Sequence, residues 1–338
     1  MSVIRTYSLT KIFPGNIKAV DGIDFEVNAG EIFGFLGPNG AGKTTTIKML
    51  NTLILPTSGT ATVAGFDIVK SPAEVRKHIG YVAQDVGVDE NATGRENLAL
   101  YGHFYRMDSK TINQRIDEIF ELVDLTGSEN RMVSTYSGGM RRRLDLAMGI
   151  IHQPKLIFLD EPTTGLDPQT RSHIWDYIRN LAKNMGVTIF LTTQYMEEAD
   201  RLADRLAIID LGRIIASGTP DELKKSISGD VVTLSPDVDR DEERQEFIRS
   251  AESVLSGKPF VTEMKATDGE LAVYVNDGGS AIPVITQLLA SHDIKIKTVS
   301  MSRPSLDDVF LNCTGHTMRA QEGTRTTWQV QQRSRRRR

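Results

Sequence analysis

Short apolar runs recur along the first two thirds of the chain, and each is followed by a longer stretch of helical period. The runs have the length of single strands, and this alternation is typical of an α/β fold with a parallel sheet. We therefore predict an α/β domain over residues 1–225. The clearest predicted strands are EIFGFLG (31–37), HIGYVAQ (78–84), LIFLD (156–160), VTIFLTT (187–193) and RLAIID (205–210).

The strand pattern disappears between Asp85 and His152. The stretches GRENLALYGHFYRM and INQRIDEIFELVDLTG instead have apolar residues at helical spacing, and the second ends in a glycine. We predict a helical subdomain, inserted into the α/β domain at about residues 85–152.

The pattern changes again after residue 225. It predicts strand, helix, strand, strand, helix and strand at 230–234, 240–255, 260–265, 270–276, 279–291 and 294–301. This βαββαβ order matches a small ferredoxin-like domain, so we expect a second, α+β domain over 226–315. Ser305 is placed to cap one further helix. We expect the polar, basic tail at 316–338 to be disordered.

Charge is divided unevenly along the 338 residues. The net charge is −4, but the segment from His316 onward has seven arginines and one glutamate, so the rest of the chain carries −10. An acidic body argues against nucleic-acid binding. The tail is interpreted as a solubilising segment, with contact to anionic lipid or RNA as the alternative.

The remaining composition is that of a globular protein in a reducing compartment. A single cysteine, Cys313, excludes an intrachain disulfide. The first residues lack the apolar core of a signal peptide, and no run reaches the ~18 apolar residues of a spanning helix. We expect a cytosolic or peripheral membrane protein.

A phosphate-binding loop is predicted at residues 37–45. The stretch GPNGAGKTT fits G-x-x-x-x-G-K-[ST], follows a predicted strand and precedes a helical pattern. Its glycines let backbone N–H groups converge on phosphate oxygens, and the helix adds its positive end. Lys43 would reach the β- and γ-phosphates, and Thr44 would ligate Mg²⁺. The candidate ligands are Gly37, Pro38, Asn39, Gly40, Ala41, Gly42, Lys43, Thr44 and Thr45.

Two carboxylates follow the apolar strand LIFLD. Open α/β sheets bind ligands at the carboxyl ends of their strands, so both side chains are expected beside the phosphate loop. Asp160 is placed to hold Mg²⁺, and Glu161 to polarise an attacking water. Pro162 then ends the strand.

A fixed series of motifs makes the chain similar to the ATP-binding-cassette (ABC) ATPases over about residues 1–225. The series is the phosphate loop, Gln84 in YVAQD, YSGGM at 136–140, LIFLDEP at 156–162, GLDP at 165–168 and then TTQYMEEAD. The family usually has Leu-Ser-Gly-Gly-Gln where this chain has YSGGM, which we call the signature segment. Its ends therefore depart from the family pattern.

The resemblance implies that the signature segment closes over ATP held by a second subunit. Ser137 would bind the γ-phosphate, and Gly138 and Gly139 would let backbone N–H groups approach it. The chain has one phosphate loop and one signature segment, so neither completes a site alone. The implied assembly is a head-to-tail homodimer with two composite ATP sites, and a second kind of nucleotide-binding chain is not required.

Other positions also match motifs of the family. Gln84 resembles a glutamine that senses Mg²⁺, and Asp167 resembles the loop that crosses between subunits. Phe13 matches the aromatic residue that stacks on adenine, with a plain core aromatic as the open alternative. Gln194 stands where histidine is usual; glutamine can position the γ-phosphate but cannot carry a proton near neutral pH. Glu161 is therefore assigned as the base.

Three arginines, Arg141, Arg142 and Arg143, follow the signature segment. We interpret them as a solvated helix face. The alternative is that they help to hold the ATP-closed dimer.

Several longer stretches are similar to the ATP-binding subunits of daunorubicin-resistance-type drug exporters. They are ATGRENL, YSGGMRRRLDLA, LTTQYMEEADRLADR and PSLDDVFLNCTG, which extend the match to about residue 315. The resemblance implies a peripheral protein at the cytoplasmic face of the membrane, paired with a separate polytopic permease. The competing class is a soluble ABC ATPase that acts on DNA or ribosomes, and lipid or glycolipid is the alternative cargo.

Overall fold

The computed structural model describes residues 2–227, 229–238, 240–267, 269–302 and 304–314. The chain divides after Pro220 into two compact units. The basic tail at 316–338 lies outside the described residues, so its expected disorder and its lipid contact stay predictions. Within the described ranges, no helix is both long and apolar enough to span a bilayer.

The first unit contains two sheets and the helices that pack on them. Its strands are β1 (Ser2–Phe13), β2 (Ile17–Ile23), β3 (Glu26–Asn28), β4 (Ile32–Leu36), β5 (Ser58–Val63), β6 (Phe66–Asp67), β7 (Ile79–Val82), β8 (Leu156–Asp160), β9 (Thr188–Thr193), β10 (Arg205–Asp210) and β11 (Arg213–Gly218). Its helices are α1 (Lys43–Leu50), α2 (Pro72–His78), α3 (Gly94–Phe104), α4 (Ser109–Leu122), α5 (Gly138–Met148), α6 (Pro168–Met185) and α7 (Met196–Leu202), with a 3₁₀ turn at Val133–Thr135.

A six-stranded sheet in the order β11–β10–β4–β9–β8–β7 forms the centre of this unit. The five strands predicted from the sequence are its parallel strands, and β11 joins one edge antiparallel. In β8, Leu156 and Phe158 pack into one hydrophobic cluster, whereas Ile157 and Leu159 pack into another. Both faces of the sheet are thus covered, which explains why these strands are continuous apolar runs.

The register of the parallel strands places the functional loops together. Asp160 of β8 pairs with Thr192 of β9, and Leu36 of β4 pairs with Thr193. The Gly37 N–H then donates to the Thr193 carbonyl at 3.2 Å. The phosphate loop and the carboxylates after β8 therefore leave the sheet at the same carboxyl edge.

The second sheet has the order β2–β1–β5–β6, with β3 also paired to β1, and no pattern described above predicts it. Its pairs are antiparallel, and the register shifts several times along β1. Such irregularities break the strict alternation of apolar and polar residues by which a half-buried strand is identified.

Helices α3, α4 and α5 lie between β7 and β8 and form the predicted helical subdomain. Each begins with a capping side chain, from Thr93, Asp108 and Ser137 respectively. Helix α4 ends at Leu122, earlier than the glycine at 127 that the pattern favoured. The chain leaves the helix instead at Asp124, whose φ is 51°.

After α8 (Pro220–Ser226), the second unit contains β12 (Asp230–Pro236), α9 (Asp241–Leu255), β13 (Val261–Thr267), β14 (Glu270–Val275), α10 (Gly278–Ser291), β15 (Ile296–Ser302) and α11 (Leu306–Thr314). The sheet is antiparallel in the order β13–β14–β12–β15, so the predicted βαββαβ fold is confirmed. The Ser305 hydroxyl accepts the Asp308 N–H at 3.2 Å and caps α11 as predicted.

Candidate active site

The phosphate loop connects β4 to α1 and depends on two glycines. Gly42 precedes α1 with a φ of 115°, which only glycine adopts readily. A Cβ at Gly37 would lie 2.2 Å from the Ile209 carbonyl oxygen, so a larger residue would displace the loop from β10. A 3.1 Å hydrogen bond from the Ala41 N–H to the Pro38 carbonyl closes the turn. Asn39 and Gly40 are exposed at the tip, and Thr45 is half-buried in the first turn of α1.

Lys43 lies at the base of the phosphate loop and is only 4% exposed. Its Nζ donates to the carbonyl oxygens of Gly37 at 2.7 Å and Pro38 at 3.1 Å. It also lies 3.1 Å from Glu161 Oε1. This ammonium is therefore held where the loops after β4 and β8 meet, and a cation there complements the charge of a phosphate.

Asp160, the last residue of β8, is buried beside the phosphate loop. Its Oδ1 accepts hydrogen bonds from the hydroxyls of Thr192 at 2.7 Å and Thr44 at 3.2 Å. Burial raises the pKa of the Asp160 carboxyl, and the two hydroxyls oppose that shift. A desolvated carboxylate with a hydroxyl beside it suits Mg²⁺, since hard cations prefer oxygen ligands.

Glu161 occupies a sharp turn directly after β8. Its φ of 48° is left-handed, a conformation that costs a residue with a side chain ~1–3 kcal/mol. Its N–H donates to the Thr192 carbonyl at 3.1 Å, and its carboxylate accepts the Thr164 hydroxyl at 3.2 Å. The turn brings the carboxylate to within 3.1 Å of Lys43 Nζ, so Glu161 lies beside the phosphate loop.

Two glutamines flank these carboxylates. Gln84 is exposed, two residues beyond β7, which pairs in parallel with β8. Gln194 directly follows β9, on the other side of β8. Its Oε1 is buried and has no hydrogen-bond partner among the residues that the structure describes. A buried acceptor of this kind has room for a hydrogen bond from a bound water or ligand.

The signature segment leads into α5, and its Ser137 and Gly138 are exposed. The Ser137 hydroxyl accepts the Met140 N–H at 3.2 Å and caps the helix. Among the described residues, no atom lies within 4 Å of the position that a Cβ at Gly138 would occupy, whereas at Gly139 the side chain of Thr170 lies at 3.0 Å. Packing inside the chain therefore does not require glycine at position 138.

Tyr136 and Met140, the two residues of the signature segment that depart from the family pattern, pack inside the helical subdomain. Tyr136 is buried, and its hydroxyl donates to the Ser128 carbonyl at 2.5 Å. Met140 is half-buried against the hydrophobic cluster that contains Tyr136. Both side chains thus anchor α5 within its own subdomain.

The predicted solvated face of three arginines is wrong for Arg142. Arg141 pairs with Glu90 at 2.6 Å, and Arg143 pairs with Asp124 at 3.1 Å, both near the surface. Arg142, in contrast, is 2% exposed. Consecutive residues of a helix point about 100° apart, so a run of arginines does not share one face.

Phe13 ends β1 and remains 36% exposed. The Nζ of Lys11 lies 5.3 Å from the centroid of its ring. The alternative of a plain core aromatic is therefore wrong. An exposed ring of this kind is available for stacking on adenine, as the resemblance implies.

Two supporting residues, Thr192 and Glu198, were not predicted from the sequence. Thr192 holds both Asp160 and the backbone of Glu161. Glu198 is fully buried, and its Oε1 accepts the Thr163 hydroxyl and the Trp175 Nε1–H, each at 2.7 Å. Burial raises the pKa of the Glu198 carboxyl. For Thr192 the sequence offers one signal. It lies in the apolar run VTIFLTT, and a buried hydroxyl needs a hydrogen-bond partner.

Comparisons with known proteins match both units of the chain. A family model described as "ABC transporter" matches residues 20–164, and one described as "ATP-binding protein DrrA1-3-like, C-terminal domain" matches residues 218–314. The daunorubicin/doxorubicin resistance ATP-binding protein DrrA of Streptomyces peucetius is 44% identical over 314 residues, which cover 93% of this chain and 92% of the relative. The chain belongs to the DrrA family of ABC transporter ATP-binding proteins.

Further likenesses agree with DrrA membership. The daunorubicin resistance ATP-binding protein DrrA2 of Streptomyces coeruleorubidus is 42% identical over 313 residues, covering 93% of this chain and 95% of the relative. The ADP conformation of MJ1267, an ATP-binding cassette of an ABC transporter, superposes with a TM-score of 0.61 at 27% identity, over 67% of this chain and 94% of that one. The predicted ABC fold, the family and the ATPase activity are confirmed.

Proposed function

We propose that this DrrA-family chain powers the export of a hydrophobic, drug-like compound through a separate membrane permease. It acts as a head-to-tail homodimer, which closes on two ATP molecules and opens after their hydrolysis. The observation that carries the proposal is the contrast between the two parts of its site. Lys43, Asp160 and Glu161 are assembled and buried, whereas Ser137 and Gly138 of the signature segment are exposed, and no described atom lies within 4 Å of the position of a Cβ at Gly138.

Nucleotide binding is assigned to the phosphate loop and to Phe13. The loop backbone and Lys43 hold the β- and γ-phosphates, and the exposed Phe13 ring stacks on adenine. Thr44, Asp160 and Gln84 would hold Mg²⁺, and the first two fit that ion because their oxygens already lie 3.2 Å apart. When bound, Mg²⁺ neutralises charge on the phosphates.

Glu161 is proposed as the base that takes a proton from the attacking water. Its carboxylate lies 3.1 Å from Lys43 Nζ, beside the position that the γ-phosphate would occupy. Gln194 donates a hydrogen bond to the γ-phosphate and orients it, without proton transfer. Catalysis is therefore positioning together with charge neutralisation.

The second copy of the chain would complete each site with its signature segment. The Ser137 hydroxyl and the backbone N–H groups of Gly138 and Gly139 would bind the γ-phosphate, with the positive end of α5 behind them. Asp167, which caps α6 by accepting the Thr170 N–H at 2.9 Å, would lie in the loop that crosses between subunits.

The helical subdomain offers the proposed surface for the permease. Val86 lies just beyond Gln84, and Leu100 and Phe104 share one face of α3, four residues apart. All three side chains are exposed, and we assign the apolar face that Leu100 and Phe104 form on α3, together with Val86, to the permease interface. A permease bound there would hold the dimer at the cytoplasmic face and connect its motion to Gln84.

Drug export is favoured over other cargoes because the relatives at 42% and 44% identity are named for drug resistance, whereas a relative named for Nod factor export, which also matches along nearly the whole chain, is 38% identical. The match includes the second unit, which we interpret as a dimer-stabilising or coupling domain. Action on DNA or ribosomes is less favoured, because the chain without its tail carries −10.

Co-purification from native membranes tests the proposal. The full chain with Glu161→Gln, in ATP and Mg²⁺, is expected to run as a dimer and to bring a polytopic membrane protein in near-equal amount. The Lys43→Ala chain with the same tag is the control, and it is expected to stay monomeric. Recovery of DNA, ribosomes or soluble proteins with no membrane protein would overturn export. A Glu161→Gln chain that stays monomeric in excess ATP would overturn the composite dimer.

A further inference from the structure

An ion pair lies inside the molecule, beneath the signature segment. Arg142 is 2% exposed and Asp145 is 6% exposed, and both belong to α5. Arg142 Nη1 lies 2.9 Å from Asp145 Oδ2, and the two residues are three positions apart. Burial lowers the pKa of Arg142 and raises that of Asp145, while each charge opposes the shift of the other. Removing two charges from water is costly, and this cost offsets much of the attraction between them. A buried pair of this kind is therefore not explained by a gain in stability.

The Arg142 guanidinium also binds the backbone on both sides of the catalytic edge. Its Nε donates to the Pro162 carbonyl at 2.7 Å, and its Nη1 donates to the Ala83 carbonyl at 2.8 Å. Pro162 directly follows Glu161, and Ala83 directly precedes Gln84. One side chain thus joins the two loops that carry the proposed base and the proposed Mg²⁺ sensor.

Asp145 holds the far end of the same loop. Its Oδ1 accepts the Gly87 N–H at 3.1 Å, while its other oxygen binds Arg142. The pair therefore fixes the backbone at 83 and at 87, and the exposed Gln84 lies between these two points.

The contact with Pro162 falls at a strained part of the backbone. Glu161 has a φ of 48°, a conformation that persists only where the surroundings enforce it. The Glu161 N–H donates to the carbonyl of Thr192, and the carbonyl of Pro162 accepts a hydrogen bond from Arg142. The turn that aims the base is thus secured from β9 on one side and from α5 on the other.

We infer that Arg142 and Asp145 are positioning residues of the ATPase, which connect the signature helix α5 to Gln84 and Glu161. A displacement of α5, as when the signature segment engages ATP on a second copy, acts through this pair on both loops at once. The inference rests on the proposed roles of Gln84 and Glu161. The contacts of Arg142 and Asp145 are with the backbone and with each other, so both act through the residues that they hold.

The test uses Arg142→Lys, which retains the charge but loses the planar fork that reaches two carbonyls and a carboxylate. We expect kcat to fall about 10- to 100-fold, as for other residues that orient a site's ligands, with the KM for ATP changed less than about threefold. The Mg²⁺ concentration for half-maximal activity should rise, because Gln84 loses its support. The matched control is Arg115→Lys, from the Arg115–Glu118 pair of the same spacing on α4, and it should leave all three values unchanged.

Two further variants separate positioning from folding. Asp145→Asn keeps the size of the side chain and replaces Arg142→Lys if that variant fails to fold. The same changes in kcat, KM and Mg²⁺ dependence are expected for it. Arg142→Met combined with Asp145→Leu removes both charges together, so the melting temperature should return to that of the wild type or exceed it. A purely structural pair would then recover its kcat, whereas a positioning pair leaves kcat low.

Two results would overturn the inference. One is a wild-type kcat and Mg²⁺ dependence in folded Arg142→Lys, and the other is full recovery of kcat in the double variant. The proposed function fails separately, namely if the wild-type chain itself hydrolyses no ATP or if Glu161→Gln retains its activity.

Discussion

The phosphate-loop part of the site and the signature segment differ in where their polar groups find hydrogen-bond partners. On the phosphate-loop side, Lys43, Asp160 and Glu161 are buried and bonded to neighbouring groups of the same chain. On the signature side, Ser137 and Gly138 are exposed at the start of α5. The first part is thus organised by contacts within its own chain, whereas the second leaves the Ser137 hydroxyl and the Gly138 backbone open to solvent.

The glycines of the two regions differ in whether their surroundings leave room for a side chain. A Cβ at Gly37 would meet a backbone oxygen at 2.2 Å, so the fold itself requires glycine there. Within the described residues, a Cβ at Gly138 would meet nothing within 4 Å. Packing among the described residues therefore does not require glycine at 138, and our proposal assigns this glycine to close approach of the phosphate.

The largest effect is expected from Lys43→Ala. The change removes the buried cation of the phosphate loop, and ATP affinity should fall at least ~100-fold. Equilibrium titration with nucleotide measures the loss. Lys48→Ala, at an exposed position of the same helix, is the control that should bind normally. Near-normal binding of ATP by Lys43→Ala would contradict the assignment of residues 37–45 as the phosphate-binding loop.

Ser137→Ala should separate binding from hydrolysis. Monomeric chains should bind ATP as the wild type does, while hydrolysis falls about 100-fold, since a donor to the developing phosphate charge is lost. The change also removes a helix cap worth about 1 kcal/mol. Asp108→Ala removes the comparable cap of α4 and should leave hydrolysis intact. Loss of monomer binding in Ser137→Ala would mean that the segment serves its own loop.

Gly138→Ala sharpens the comparison further. The fold should be as stable as the wild type or up to ~1 kcal/mol more stable, because alanine favours a helix and meets no atom of the described chain. Hydrolysis should nevertheless fall about tenfold, because the methyl group holds the phosphate away from the backbone N–H groups. Thermal melting and steady-state rates measure the two effects. Unchanged hydrolysis would contradict close approach at this residue.

The smallest effect on the reaction is expected at His152, which lies outside both regions. Its Nε2 lies 2.9 Å from the Ile79 carbonyl oxygen, and its ring stacks on Tyr105. Burial lowers the pKa of His152 to about 4. The unfolded chain therefore binds a proton more readily, so stability that is present above pH ~6.5 is lost as the pH falls towards 4.

His152→Phe should reduce this loss of stability in acid while leaving ATPase activity at neutral pH unchanged. Urea unfolding at several pH values measures it, and the two proteins should diverge by roughly 2–3 kcal/mol between pH 6.5 and 4. Parallel stability curves for the two proteins would contradict the assignment.

Elements with a regular apolar pattern could be predicted from the sequence. Features that depend on contacts between distant residues could not. The five parallel strands and the βαββαβ unit were predictable because their apolar patterns are regular. The sheet around β1 was not predicted, since its register shifts interrupt the alternation. A run of three arginines favours a solvated helix face, and this prediction is wrong for Arg142. Only the three-dimensional structure brings Ala83 and Pro162 to its guanidinium.

The central claim is that the two parts of one chain act in different ATP sites. Mixing Lys43→Ala chains with Ser137→Ala chains and measuring single-turnover ATP hydrolysis tests this claim most directly. Each variant alone should be inactive. In a mixed dimer, the intact phosphate loop of the Ser137→Ala chain meets the intact signature segment of the Lys43→Ala chain. The account predicts that mixing restores hydrolysis, and a mixture as inactive as its two parents would contradict it.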